Sequence, residues 1–215
     1  MAVHDSEYMR RALQKARRGI GLTSPNPPVG AVIAKDGREL GSGWHRAAGE
    51  PHAEIEAIND AFYRHGSAAL EGATIYITLE PCSTQGITGP CTTAIQRACL
   101  GRVVIGACDP NPAHQGRGGD LLREAGIEVV EGIEEAACEE LIRAFSKVQK
   151  TGLPWLIIKT AMSLDGRITR PPSEGQWLSG EESRAEVHRL RGEVDAILTS
   201  GQTVRADDPR LTVRS

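Results

Sequence analysis

His52 and Glu54 stand two residues apart in Pro51-His52-Ala53-Glu54, Glu80-Pro81-Cys82 follows, and Cys91 comes nine residues later. Imidazole and thiolate are zinc ligands. A catalytic zinc typically takes three protein ligands and leaves a fourth position for water, whose pKa it lowers from near 16 to roughly 7. His52, Cys82 and Cys91 satisfy that count. Glu54, two residues beyond the histidine, is close enough to accept the proton of such a water and hand it to a leaving amine, and it is not itself expected to be a ligand. Taken singly, a histidine near a helix start is usually a surface or capping residue, and a lone cysteine a small core hydrophobe. The combination is more specific. A structural zinc site is the better alternative, but such sites are closed by four ligands, and Cys99, Cys108 and Cys138 are not placed beside Cys82 or Cys91 as a pair would be. Those three are assigned to packing.

The ligands must sit at the ends of regular elements. Met9, Ala12, Leu13 and Ala16 recur at helical spacing after a possible cap at Asp5 or Ser6, and Gly19-Ile20-Gly21 ends that pattern. After Ser24-Pro25-Asn26-Pro27-Pro28, Val29 to Lys35 reads as a buried strand, and Asp36-Gly37 is a two-residue hairpin turn into a strand near Glu39 to Trp44. From there helices and strands alternate: helix His52 to His65, strand Thr74 to Leu79, helix Cys91 to Cys99, strand Arg102 to Ala107. Helix Gly119 to Ala125, strand Glu128 to Glu131 and helix Glu134 to Phe145 follow. This order predicts an α/β fold, a three-layer α/β/α domain around a mixed sheet. His52 and Cys91 then open helices, and Cys82 closes a strand.

A boundary is expected in Lys147 to Pro154, giving a domain over 1–150 and a second unit over 151–215. In that unit Trp155 to Thr160 and Asp195 to Thr199 read as strands and Glu181 to Arg191 as a helix. So short a stretch is a thin allotment for an independent α/β domain.

Lys plus Arg number 25 against 28 Asp plus Glu, a net charge of −3, and the basic residues form no stripe. That disfavours nucleic acid as a partner. No apolar run approaches the roughly 20 residues of a membrane helix, and the N-terminus lacks an apolar signal segment. The five cysteines are an odd count without a secretion signal, which favours metal binding or catalysis over a disulfide framework. The expectation is a cytoplasmic protein with a small-molecule substrate and no membrane partner.

On Pro51-His52-Ala53-Glu54 and Glu80-Pro81-Cys82 the sequence resembles the cytidine deaminase superfamily. Nucleoside and transfer-RNA deaminases close with Pro-Cys-x-x-Cys, whereas eight residues separate Cys82 from Cys91 here. That longer loop resembles the deaminase of riboflavin biosynthesis. So do Ser24-Pro25-Asn26-Pro27, Gly43-Trp44-His45, Gly49-Glu50-Pro51-His52 and Asp109-Pro110-Asn111-Pro112. The second unit resembles the partner reductase domain at Ser163-Leu164-Asp165-Gly166-Arg167-Ile168, Trp177-Leu178, Leu190-Arg191 and Asp207-Asp208-Pro209.

The resemblance implies hydrolytic loss of the 2-amino group from a diaminopyrimidinone bearing a phosphoribosylamino arm. It also implies that Asn26 holds the ring edge and that His45, Asp109 and Asn111 line the pocket. As residues alone, Asn26 reads equally as a turn position between prolines, and the other three as loop or strand-end polar groups. Two departures stand out. Thr84 and Ile87 occupy positions where the family usually has a histidine and a basic residue, so the substrate phosphate loses a partner for which Arg117 is the candidate replacement. The family reductase also continues well beyond Ser215. Lys159, Arg191 and Thr203 match its substrate and cofactor positions, but NADPH is expected only with a complete reductase, and no reductase activity is expected of this chain. Apolar Trp155 to Ile158 and Ala196 to Leu198 would then need covering by a second copy, a homo-oligomer. The competing readings are another deaminase of the superfamily and a non-catalytic zinc-stabilised scaffold, the latter disfavoured by the intact Glu54.

Overall fold

Gly30–Lys35 is apolar at every position but its last, and a strand without a polar face must be covered on both sides. It forms β1, followed by β2 (Arg38–Trp44), β3 (Thr74–Leu79), β4 (Arg102–Ala107) and β5 (Glu128–Glu131). The computed structural model describes residues 2–84, 89–112, 114–169 and 177–214. It orders the strands β2-β1-β3-β4-β5 in one sheet. β1 lies antiparallel to both β2 and β3, and β3, β4 and β5 run parallel, so the sheet is mixed. The Asp36-Gly37 turn carries positive φ at both residues, as a two-residue hairpin requires.

The helices around this sheet are α1 (Ala2–Ala16), α2 (Ala53–His65), α3 (Ser67–Leu70), α4 (Cys91–Arg97), α5 (Arg117–Glu124) and α6 (Glu135–Leu141), and α7 (Arg143–Thr151) follows α6 with no buried residue. Period-two alternation sorts the core between the two faces. Ala31, Ile33, Ile75, Ile77, Val103 and Ile105 meet Ala53, Ala57 and Ala61 of α2, Ile95 of α4 and Leu122 of α5. Val32, Ala34, Tyr76 and Val104 meet Tyr8, Met9, Ala12 and Leu13 of α1 and Cys138 of α6. The result is three layers, as the alternation of elements predicts. On β2, Gly41 and Gly43 let α2 approach closely: a Cβ on either would fall 2.4 Å from an α2 atom, the Ala61 nitrogen and the Glu56 Cβ respectively.

Several boundaries differ from the sequence reading. The first helix begins at Ala2, so neither Asp5 nor Ser6 caps it. Asp5 instead lies buried within it, accepting a hydrogen bond from Tyr76 Oη at 3.1 Å and pairing with Arg102 at 2.8 and 2.9 Å. Helix Glu134 to Phe145 is two helices, because Ile142 (φ −101°, ψ 12°) leaves helical geometry between α6 and α7. Cys99 is exposed, not packed, because it follows α4 in a left-handed conformation (φ 53°) with its carbonyl accepting from Gly72 N. Cys138 is buried, and Cys108 is half-buried.

Packing divides the chain into compact units Met1–Trp155 and Leu156–Ser215. The second contains α8 (Glu181–Gly192), where the helical reading placed it, and α9 (Gly201–Asp207), which that reading missed. The expected strands Trp155 to Thr160 and Asp195 to Thr199 do not form. A strand is defined by a neighbouring backbone, and among the described residues neither segment finds one. Leu156, Ile158 and Leu198 are consequently exposed, at 76, 88 and 97 %.

Candidate active site

Three element ends converge where β3 stops. His52 is the residue before the first turn of α2, Cys82 lies three residues past β3, and Cys91 is the first residue of α4. The free N–H groups of a helix's first turn need partners. Here Cys91 N donates to Cys82 Sγ at 3.3 Å and Thr92 N to the Cys82 carbonyl at 3.3 Å, which draws the two cysteines together. His52 Nδ1 lies 3.6 Å from Cys82 Sγ and 3.3 Å from Cys91 Sγ, and all three ligand atoms fall within 4.8 Å of one another. Tetrahedral zinc with ordinary bond lengths separates its sulfur and nitrogen ligands by about 3.5 Å, so the residues fit that ion.

Electrostatics favour a cation there. Hydrogen bonding with Cys91 holds the Cys82 thiol down at about 4, despite burial, with His52 assisting. The neighbouring Cys82 sulfur, reinforced by burial and by Glu54, pushes the Cys91 thiol far up. Two thiolates cannot share so small a volume without compensating positive charge. Glu54, in the first turn of α2, is buried, and burial pushes its carboxyl up to about 7. That suits a group which must both accept and return a proton near neutrality.

His52, Cys82 and Glu54 border a cavity of about 130 Å³ whose wall also includes Asn26, Pro27, Val29, His45, Leu79, Glu80, Asp109 and Phe145. His45 is buried at the end of β2, where its N–H donates to the Val29 carbonyl at 2.9 Å. Its Nδ1 faces the Pro51 carbonyl at 3.1 Å, and a carbonyl can only accept, so Nδ1 carries the proton. Nε2 is then the acceptor, and Asn26 Nδ2 donates to it at 3.1 Å. That bond assigns the Asn26 amide orientation, with the nitrogen side toward His45. Burial lowers the His45 pKa, which keeps the ring neutral and the acceptor available.

Of the remaining sequence candidates, Asp109 is on the cavity wall and its pKa is raised by burial. Asn111 and Arg117 do not line the cavity. Asn111 N donates to Asp109 Oδ1 at 2.8 Å, and Arg117, exposed, opens α5. Thr84 is exposed, and Ile87 lies outside the described residues. In the second unit, Lys159 lines a cavity of about 360 Å³ with Thr160, Met162 and Ser183, whereas Arg191 donates to the Thr212 carbonyl and Thr203 N to the capping Ser200 Oγ. Neither Arg191 nor Thr203 lines that cavity.

Phe145 and Glu80 belong to the cavity wall without having been singled out for it. Phe145 reaches it from α7, and no local pattern announces a contact made by tertiary packing. Glu80 did carry a signal, as a carboxylate directly following the apolar β3.

A sheet-and-helix layer with one histidine and two cysteines at converging ends defines a deaminase-type zinc-binding domain. Residues 2–107 match the family described as cytidine and deoxycytidylate deaminase zinc-binding region, and residues 154–215 match the RibD C-terminal domain. The chain belongs to the RibD family of riboflavin biosynthesis proteins. It is 47 % identical to riboflavin biosynthesis protein RibD of Escherichia coli K12, over 99 % of this chain and 56 % of that protein. Acinetobacter baumannii RibD superposes with a TM-score of 0.91 at 41 % identity, covering all of this chain and 59 % of that one. A Thermotoga maritima diaminohydroxyphosphoribosylaminopyrimidine deaminase/5-amino-6-(5-phosphoribosylamino)uracil reductase gives 0.93 at 39 %, covering 99 % and 60 %. The chain thus spans little more than half the length of these relatives. No described helix is long and apolar enough to cross a membrane.

Proposed function

We propose that this chain hydrolytically deaminates 2,5-diamino-6-(5-phosphoribosylamino)pyrimidin-4(3H)-one to 5-amino-6-(5-phosphoribosylamino)uracil, releasing ammonia. The observation that carries this reading is the meeting of His52, Cys82 and Cys91 in one cluster, with His52, Cys82 and buried Glu54 bordering a small cavity. The relatives, one of them named for this deaminase activity, support the substrate. A zinc ion held by His52, Cys82 and Cys91 would supply Lewis acidity and an acidified water. Glu54 takes one proton from the attacking water and passes it to the ring nitrogen beside the amine-bearing carbon, then takes the remaining proton from the hydroxyl now on that carbon and delivers it to the departing amine. Water oxygen replaces nitrogen on carbon, and the nitrogen leaves as ammonia. Asn26, oriented by His45, holds the ring edge, and Asp109 closes the wall. Asn111 and Arg117 are assigned the substrate's outer part, with Arg117 on the phosphate.

In this reading residues 1–150 are the deaminase domain, and 151–215 are the first part of a reductase-like domain in which Lys159, Arg191 and Thr203 serve substrate or NADPH. The match of 154–215 to the RibD C-terminal domain supports that assignment. Exposed Leu156, Ile158 and Leu198 support a homo-oligomer, and five free cysteines suit the reducing cytoplasm.

The test is ammonia release by zinc-loaded protein given the diaminopyrimidinone, with cytidine as competing substrate and Glu54→Ala as control. Release from the first alone, abolished in the variant while bound zinc is retained, is expected. Release from cytidine alone, or from neither with zinc bound, overturns the assignment.

A further inference from the structure

Glu80 is buried, its own N–H donates to the Ala107 carbonyl at 2.9 Å, and it stands two residues before Cys82. Its carboxylate accepts three backbone N–H bonds. Gly118 N reaches Oε1 at 2.8 Å, while Gly116 N and Asp109 N reach Oε2 at 2.9 and 3.1 Å. One side chain therefore holds both ends of the segment from Asp109 to the first turn of α5. Gly118 lies so close to this point that a Cβ there would sit 2.2 Å from the Pro81 carbonyl oxygen and 3.2 Å from Glu80 Oε1. Bonds from N–H groups to a buried carboxylate are among the stronger neutral-to-ion contacts in a protein, and three of them hold the carboxylate in place.

We propose that Glu80 is a positioning residue for the deamination. It locks Asp109 into the cavity wall by tying the Asp109–Gly118 segment to the strand end that carries Cys82. The inference rests on the deaminase reading for its kinetic consequence, but not for the clamp itself. Glu80 differs in kind from Glu54: its oxygens are occupied by backbone donors, so it holds geometry and moves no proton.

Glu80→Gln separates the clamp from mere filling of space. The amide has nearly the same volume, yet its nitrogen cannot accept, so only one side of the three-bond set survives. Expected are faster hydrogen exchange at the Asp109, Gly116 and Gly118 amides, unchanged zinc stoichiometry, and a KM raised about tenfold with kcat changed much less. Because Glu80 acts through Asp109, the KM effect of Glu80→Gln should vanish in an Asp109→Ala background, a non-additivity that a purely structural residue would not produce. Unchanged amide exchange, or an equal KM effect in both backgrounds, overturns the proposal. If the wild type releases no ammonia from the diaminopyrimidinone, the deaminase reading falls, and the exchange measurement alone then decides whether Glu80 holds the segment.

Discussion

Asn26 illustrates how one side chain acquires a role from its neighbours. Between prolines it reads as a turn residue, and only the bond to His45 Nε2 turns its amide into an oriented pair of groups at the cavity. Two carbonyls hold that pair, since Val29 O accepts from His45 N and Pro51 O from His45 Nδ1. Losing one hydrogen bond of this kind is worth about 1–2 kcal/mol. Asn26→Ala is therefore expected to raise KM about tenfold, with kcat falling less, and His45→Ala to produce a similar rise although it removes a different group. Steady-state ammonia release checks both. A normal KM in His45→Ala would mean that Asn26 needs no support.

The elements are held to one another by contacts far apart in sequence, and α1 adds a buried polar contact to its apolar packing on the sheet. Asp5 meets Tyr76 of β3 and Arg102 of β4, whose Nε also donates to Glu128 of β5 at 2.9 Å. The Arg102 hydrogen bond holds the Asp5 carboxyl below its ordinary value. A depressed folded-state pKa stabilises the native state above the ordinary aspartate value near 3.9, and that contribution is lost as pH falls through the depressed value. Asp5→Asn should then cost about 2 kcal/mol at neutral pH and flatten the acid side of the stability curve. Urea unfolding at neutral pH and at successive values below pH 4 measures both effects. Equal acid slopes for variant and wild type would remove Asp5 from the account.

At the scale of the whole molecule, a bound metal stabilises whatever unfolds together with its ligands. A ligand at a hundred times its Kd adds about 2.7 kcal/mol to the native state. Zinc is expected to raise the unfolding midpoint of the wild type, and chelation to reverse it, while Cys91→Ala gains nothing. By hydrogen exchange the zinc-dependent protection should fall in Met1–Trp155 and leave Leu156–Ser215 as it was. Protection spread evenly over both units would contradict their separate assignment.

Much of this is readable in the sequence. Alternating apolar runs disclosed β1 to β5 and their coverage on both faces, because a period of two and a period of 3.6 are local properties of a chain. The spacing of His52, Glu54, Cys82 and Cys91 disclosed the candidate metal centre, because each stands at the end of an element whose position the pattern already implied. Other features depended on what lies across space. Cys99 was exposed by a left-handed turn, Asp5 was drawn into a buried ion pair instead of capping a helix, and Trp155 to Thr160 stayed unpaired for want of a neighbouring strand. Phe145 on the cavity wall and the three amides on Glu80 belong to the same group. Periodicity and residue type are written residue by residue and can be read there. A hydrogen bond or a packed face is a property of two segments at once, and only the folded chain brings them together.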